Sequence, residues 1–116
     1  NVTYASIRNV SAVRSDPNKP WSWWSDRAQG GGALGASGSH QVDLLRWWLG
    51  EVAWVTGAAP VMVPDRRDKA TGEPWTATAD DVAYFTAEMA SGAVAQVFIS
   101  GVAAHNMNNL TQIFGS

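Results

Sequence analysis

Two consecutive runs of alternating side chains constrain the fold of this chain more than any other feature of its sequence. They make up residues 80–100, DDVAYFTAEMASGAVAQVFIS, with the pair Ser91-Gly92 between them. Such alternation predicts strands, and a glycine-containing turn between two strands predicts a β-hairpin. Successive side chains of a strand point to opposite faces of the sheet, so both faces of this hairpin carry apolar residues. One face has Val82, Tyr84, Val94 and Phe98, and the other has Phe85, Met89, Val97 and Ile99.

A single helix is predicted from Ala33 to Leu49. Gly50 follows it directly, and glycine is the residue most often found just past the C-terminal end of a helix. Gly35 and Gly38 each cost about 1 kcal/mol relative to alanine inside a helix. We therefore predict that the start of this helix is distorted or closely approached by another segment. The apolar positions that share one helix face are Val42, Leu45, Trp48 and Leu49, with Leu44 and Trp47 beside them.

Three further segments are predicted to be strands, namely Val2 to Val13, Glu51 to Val63 and Leu110 to Phe114. β-Branched and aromatic residues dominate the first of them, and prolines follow the first two. The polar stretch PDRRDKATGEP, residues 64–74, predicts an exposed loop. The resulting order β, α, β, β, β predicts an α+β fold, in which an antiparallel or mixed open sheet has one long helix packed on one face.

Composition excludes several classes of function. The 116 residues predict one domain, and eight basic against ten acidic residues leave no positive field for nucleic acid. The absence of cysteine excludes disulfides, thiolate zinc sites and a thiol nucleophile, and it is compatible with a reducing cytoplasm. No stretch reaches the roughly 18 apolar residues of a membrane span. The expected partners are therefore small molecules or other copies of the chain.

Only two histidines are present, and one of them has a candidate partner. His105 lies in a polar stretch that predicts a solvated loop. His40 lies in the predicted helix with Asp43 three positions later, so the carboxylate can orient or polarise the imidazole. The alternative is a histidine that hydrogen-bonds a backbone group at a crowded helix entrance, and the local residues alone favour that alternative. No third ligand stands at usable spacing, so no metal site is predicted.

The segment Gly30-Gly31-Gly32 before the helix resembles a phosphate-binding turn. A dinucleotide fingerprint, however, places Gly-x-Gly-x-x-Gly between a buried strand and a helix, whereas a Trp-rich polar loop precedes Gly30. We interpret these glycines as a tight turn that lets the helix approach a neighbour, and we predict no cofactor-binding residue here. A Ser-His-Asp hydrolase is also disfavoured, because Ser39 cannot face His40 from the next position on a helix.

Seven tryptophans are many for this length. Trp47, Trp48 and Trp54 are predicted to fill the space between helix and sheet, because aromatic side chains bury large areas. Trp23 and Trp24 lie in the loop before the glycines and are candidate substrate-binding residues, since flat aromatic faces suit sugar rings. The alternative for this loop is a hydrophobic lid over the core.

Residues 21–57 resemble the signature of the glucose–fructose oxidoreductase, inositol dehydrogenase and MocA (Gfo/Idh/MocA) family. Members carry a GGGxLxDxGxHxxDxxxWLxG segment at the start of the first long helix of their C-terminal domain. The predicted hairpin and the ending LTQIFGS are similar to strands that follow in this family. The resemblance implies that residues 1–116 are part of a C-terminal substrate and oligomerisation domain. It further implies that NAD or NADP binds an N-terminal Rossmann domain absent from this sequence, and that this chain alone binds no cofactor.

The resemblance also implies roles for individual residues. In the family the histidine that matches His40 takes a hydroxyl proton while hydride moves to nicotinamide, and Asp43 matches the acidic residue after it. The family's other acid falls on Ala36, which removes a carboxylate that would make the imidazole more basic. One function is therefore part of an NAD(P)-dependent oxidoreductase acting on a sugar, polyol or related hydroxyl compound. The alternative is a non-catalytic ligand-binding or oligomerisation module.

The uncovered sheet face predicts a homo-oligomer in either case. One helix covers one face of the sheet, and each large apolar side chain left in water forgoes about 1.5–3 kcal/mol of burial free energy. Pairing of two open faces removes those side chains from water.

Overall fold

The hairpin predicted from the alternation lies at the centre of a five-stranded sheet in the computed structural model, which describes all residues 1–116. Its strands pair antiparallel, with Thr86 opposite Gln96. The helices and strands, in chain order, are β1 (Val2–Val10), α1 (Ser39–Leu49), β2 (Val52–Ala58), β3 (Asp65–Arg67), β4 (Pro74–Thr76), β5 (Val82–Met89), β6 (Val94–Ser100) and β7 (Leu110–Gly115).

The main sheet is mixed and open, as predicted. Its strand order is β2-β5-β6-β1-β7, in which only β1 and β6 pair parallel. Two of the predicted strands are shorter than expected, since β1 ends at Val10 and β2 at Ala58. The prediction of a loop over residues 64–74 was wrong in part, because β3 and β4 form a small ribbon with Arg66 opposite Trp75. The fold class is therefore α+β with one α-helix, as the sequence indicated.

The helix start carries the predicted distortion. Residues Leu34–Gly38 form a π-helical turn that leads directly into α1, and Ser39 Oγ donates to the carbonyl of Gly35 at 2.7 Å. A Cβ at Gly38 would lie 2.9 Å from the Leu34 side chain and 3.5 Å from that of Ile99, so glycine permits close approach to β6. At the other end Gly50 has a φ of +86°, and its N–H donates to the carbonyl of Arg46 at 2.9 Å.

Small side chains dominate the core between helix and sheet. Leu45 is the one residue of α1 that is fully buried. Most of the sheet residues in this core are alanines or β-branched residues. The buried core cluster consists of Ala5, Ile7, Ala33, Leu45, Ala95, Val97 and Ile99.

The prediction for three tryptophans was wrong. Trp47 is 81% exposed, Trp48 39% and Trp54 48%, so none of them fills the space between helix and sheet. Leu45 is the helix residue that faces this core, and Trp47, two positions later, lies on the opposite side of the helix at about 3.6 residues per turn. Trp54 instead lies on the face of the sheet away from the helix, where its Nε1 donates to Glu88 at 3.1 Å.

The sheet face away from α1, which we call the open face, carries aromatic pairs at two levels. Tyr84 stacks on Phe98 with ring centroids 6.5 Å apart, and Tyr4 stacks on Phe114 at 5.6 Å. A row of uncharged polar residues lies between the two levels, and a groove of about 690 Å³ runs along this face. The polar row consists of Ser6, Thr56, Thr86, Gln96 and Gln112.

No helix combines the length and the hydropathy needed to cross a membrane.

Candidate functional site

Three separate segments meet where the helix begins, and we call this region the helix entrance: residues 23–25, 30–34 and 78–81. The amides of Thr78 and Ala79 both donate to the carbonyl of Ser25, at 2.9 and 3.0 Å. Gly31 lies so close to the carbonyls of Trp23 and Trp24 that a Cβ there has no space. The glycine segment is therefore a tight turn against the tryptophan loop.

Asp80 closes the N-terminal end of the helix. Its Oδ2 accepts from the Leu34 amide at 2.7 Å, and its main-chain carbonyl accepts from the Ala33 amide at 2.9 Å. A carboxylate at this position neutralises the positive end of the helix and repels an anion. A short 3₁₀ turn, Arg27–Gln29, precedes the glycines in place of a strand. These residues do not fit the pyrophosphate of NAD or NADP.

His40 and Asp43 both lie on the exposed side of α1. The side-chain hydrogen bonds of this helix are those of Ser39 and Arg46, so none joins His40 to Asp43. Asp43 instead lines a groove of about 360 Å³ along with Ser39 and Arg46. A hydrogen bond to Glu51 raises the pKa of Arg46, and the charge of Asp43 adds to this effect. The structure therefore brings the two residues to one side of the helix without pairing them.

Ala36 lies in the π-helical turn before His40 and is exposed. Its methyl group offers no acceptor to the imidazole, so the carboxylate of the family pattern has no replacement at this position. No group of three or more His, Asp or Glu side chains lies together in a way that could hold a metal ion. His40 is the one histidine of α1, and it lies on the exposed side of the helix.

The two candidate substrate-binding tryptophans differ in their surroundings. Trp24 packs against the core, and the guanidinium carbon of Arg14 lies 4.1 Å from the centroid of its ring. Trp23 is 54% exposed and therefore presents its ring to solvent. A substrate contact stays a prediction for both residues, and the geometry favours Trp23.

A buried charge cluster behind the helix entrance was not predicted. Arg66 and Asp81 are both buried, with Nη2 and Oδ2 3.9 Å apart. The Asp81 carboxylate also accepts from the amides of Met62 and Val63, at 2.7 and 2.9 Å. In the sequence these charges are indistinguishable from solvated loop residues, since nothing local marks their burial. Arg66 donates to the carbonyls of Arg14, Asp16 and Val63.

Arg14 joins this cluster to the tryptophan loop. It donates to the Ser25 hydroxyl and lies over Trp24, while its Nε is buried without a hydrogen-bond partner. Burial lowers the pKa of Arg14, the like charge of Arg66 lowers it further, and Asp81 opposes both effects. The cluster therefore fixes the back of the helix entrance through charge and packing together.

Comparison with known proteins places this arrangement in a family. A family model for the GFO/IDH/MocA C-terminal domain matches residues 3–116. The chain belongs to the Gfo/Idh/MocA family. An uncharacterized oxidoreductase of Synechocystis sp. is 32% identical over 103 residues, which cover 88% of this chain and 28% of that protein.

Solved Gfo/Idh/MocA structures share the fold. Levoglucosan dehydrogenase without ligand superposes with a TM-score of 0.88 at 26% identity, over 99% of this chain and 32% of that one. An oxidoreductase domain protein from Kribbella flavida gives a TM-score of 0.86 at 30% identity, over 99% of this chain and 32% of that one. This chain thus spans about a third of the length of the relatives it matches. Levoglucosan dehydrogenase has also been solved with NADH and L-sorbose and with NADH and levoglucosan.

Proposed function

We propose that residues 1–116 are part of the substrate and oligomerisation domain of an oxidoreductase acting on a sugar, polyol or related hydroxyl compound. The observation that carries the proposal is the placement of His40, an exposed imidazole on a helix whose start is tied to two other segments. The likeness to levoglucosan dehydrogenase, which binds L-sorbose and levoglucosan, supports a sugar-like substrate.

In this proposal His40 accepts the proton of the substrate hydroxyl on oxidation and returns it on reduction. Imidazole suits both directions, because it exchanges protons near neutral pH. Asp43 lies on the same side of the helix and offers a hydroxyl acceptor one turn further on, while Trp23 offers an open ring face to the sugar. Trp24 lies in the same loop, packs against the core and is the second candidate contact to the sugar.

The hydride acceptor is NAD or NADP in this proposal, and it binds outside this sequence, since no residues here fit its pyrophosphate. The relatives solved with NADH support this choice of cofactor. The chain alone is then inactive and gives no saturable heat on titration with NAD or NADP. We propose a cytoplasmic enzyme, which the cysteine-free composition supports.

The test is His40→Ala in the oxidoreductase that contains this chain. Removal of one general acid–base group lowers kcat by about 10²–10⁴-fold, as measured with levoglucosan and related sugars and with either nicotinamide cofactor. The affinity for cofactor stays the same, because His40 contacts the substrate alone. His105→Ala is the matched control and keeps full activity. If the kcat of His40→Ala equals that of the parent enzyme, His40 has a structural role and not a catalytic one.

We also propose that the open face pairs with the open face of a second copy. The stacked aromatic pairs Tyr84–Phe98 and Tyr4–Phe114 support this, because they expose apolar rings around a polar row that can hydrogen-bond to itself. The same observation supports the alternative function, a non-catalytic oligomerisation module, and the activity of His40→Ala separates the two.

A further inference from the structure

The helix that carries His40 has no capping side chain of its own. The Ala36 amide donates to the carbonyl of Gly32 at 3.0 Å, so Gly32 stands at the N-cap position, which usually carries Ser, Thr, Asp or Asn. Gly32 has a φ of +116°, and a Cβ there would collide with Oδ1 of Asp80. The Asp80 carboxylate therefore occupies the space that a capping side chain at position 32 would fill.

Asp80 also makes the hydrogen bonds of a cap. An N-cap side chain accepts from the amide of the second or third helical residue, and Oδ2 of Asp80 accepts from the second, Leu34, at 2.7 Å. Its main-chain carbonyl accepts from the first, Ala33, at 2.9 Å. Two of the amides that a helix start leaves without partners are thus satisfied by one residue, which lies 46 positions from Leu34.

Asp80 is held from both sides, so it can act as a fixed anchor. On one side the Ala79 amide donates to the buried Ser25. On the other side the buried Asp81 accepts from two loop amides and lies beside Arg66. The capping carboxylate therefore belongs to a segment that is hydrogen-bonded on both sides, and not to the helix itself.

We propose that Asp80 is a positioning residue for His40. The turn between them is π-helical and contains Gly35 and Gly38, which favour the unfolded chain over the helix. If the cap is lost, this turn frays and His40 lies in the first turn of the remaining helix, where backbone order is lowest. The catalytic consequence rests on the proposed role of His40, whereas the geometric consequence does not.

The geometric test uses this chain with Asp80→Ala and Asp80→Asn. Hydrogen exchange at the Leu34 amide is expected to become about 2- to 30-fold faster in Asp80→Ala, and the NMR signals of the His40 ring are expected to shift. Asp80→Asn keeps an oxygen acceptor and stays close to the parent in both readouts. Asp68→Ala is the matched control, because it removes a carboxylate that accepts from the Ala70 amide in a distant turn.

The ring signals of His105 serve as internal reference in every variant. If Asp80→Ala does not fold, Asp80→Glu replaces it in the test. This variant keeps the charge but displaces the acceptor, so it is expected to shift the His40 signals while Asp80→Asn does not. Faster exchange at Leu34 with unmoved His40 signals would overturn the proposal and leave Asp80 as a simple cap. A shift of equal size in Asp68→Ala would overturn it as well.

The kinetic test uses the oxidoreductase that contains this chain. We expect Asp80→Ala to lower kcat at least about tenfold with cofactor affinity unchanged, and Asp80→Asn to restore most of the loss. An active Asp80→Ala enzyme beside an inactive His40→Ala enzyme would overturn the positioning role alone. If both variants are fully active, the proposed function of His40 fails, and the NMR result still decides the geometry.

Discussion

At the scale of single residues, Ala36 separates this chain from the pattern of its family. The family pattern that residues 21–57 resemble has an acid four residues before the histidine, whereas Ala36 supplies only a methyl group. Its exposed position in the π-helical turn has room for a longer side chain. The imidazole of His40 therefore has no carboxylate beside it at position 36.

Ala36→Asp restores this carboxylate and provides a test of contact. A neighbouring negative charge favours the imidazolium form, so the limb of the pH–rate profile that reports protonation of His40 moves to higher pH. The expected shift is about 0.2–0.4 pH unit, the size of an exposed ion pair at helical spacing. Ala36→Asn is the neutral control and leaves the profile in place. An unmoved profile in both variants would mean that positions 36 and 40 do not interact.

At the scale of elements, α1 is held on the sheet by the buried Leu45 and by the close approach of the turn before it to β6. Leu45 is 1% exposed, whereas Trp47, two positions later, points into solvent. In the turn before α1, a Cβ at Gly38 would lie 3.5 Å from the side chain of Ile99 in β6. Since the side of the helix with Leu45 packs on small residues of the sheet, His40, Asp43 and Trp47 lie on the outward side.

A pair of substitutions in α1 tests this account of packing. Leu45→Ala opens a cavity in the core and is expected to lower the free energy of unfolding by about 2–5 kcal/mol. Trp47→Ala removes a much larger side chain, yet it is expected to change that free energy by less than about 0.5 kcal/mol, because the indole is exposed. Urea denaturation measures both values. A larger loss for Trp47→Ala than for Leu45→Ala would contradict the packing described here.

At the scale of the whole molecule, the sheet has α1 packed on one face and no second layer of structure on the open face. The helix covers one side of the sheet, while the rings of Tyr84, Phe98 and Phe114 are exposed on the other. Sheets with one uncovered apolar face are completed by a second layer, and an identical copy provides one through two-fold symmetry.

Light scattering coupled to size exclusion tests this pairing. We expect a dimer or larger species for the chain, because pairing removes the exposed rings from water. Phe98→Glu puts a charge at the centre of the open face and shifts the population toward monomer. Trp47→Glu adds the same charge on the helix side and leaves the association unchanged. A monomer of 12.4 kDa at every concentration would show that the open face stays solvated.

Features set by neighbours in the sequence could be predicted. The alternation placed the hairpin and sorted its side chains into two faces, but it left open which face packs under the helix; the structure buries Val97 and Ile99 and exposes Tyr84 and Phe98. The glycines at 35 and 38 indicated the distorted helix start, and Gly50 indicated its end. Each of these depends on backbone preferences within a few residues, which local sequence reports directly.

Features set by distant residues were decided only by the tertiary structure. The tryptophans of α1 are exposed because the side of the helix that carries Leu45 packs on residues of β1 and β6, and no single segment carries that information. The cap of the helix comes from Asp80, which lies 46 positions from the amide it binds. Arg66 lies in the ribbon and Asp81 just before β5, and the two are a buried pair in the folded chain. In each case the deciding contact joins segments far apart in the chain, so composition and periodicity cannot report it.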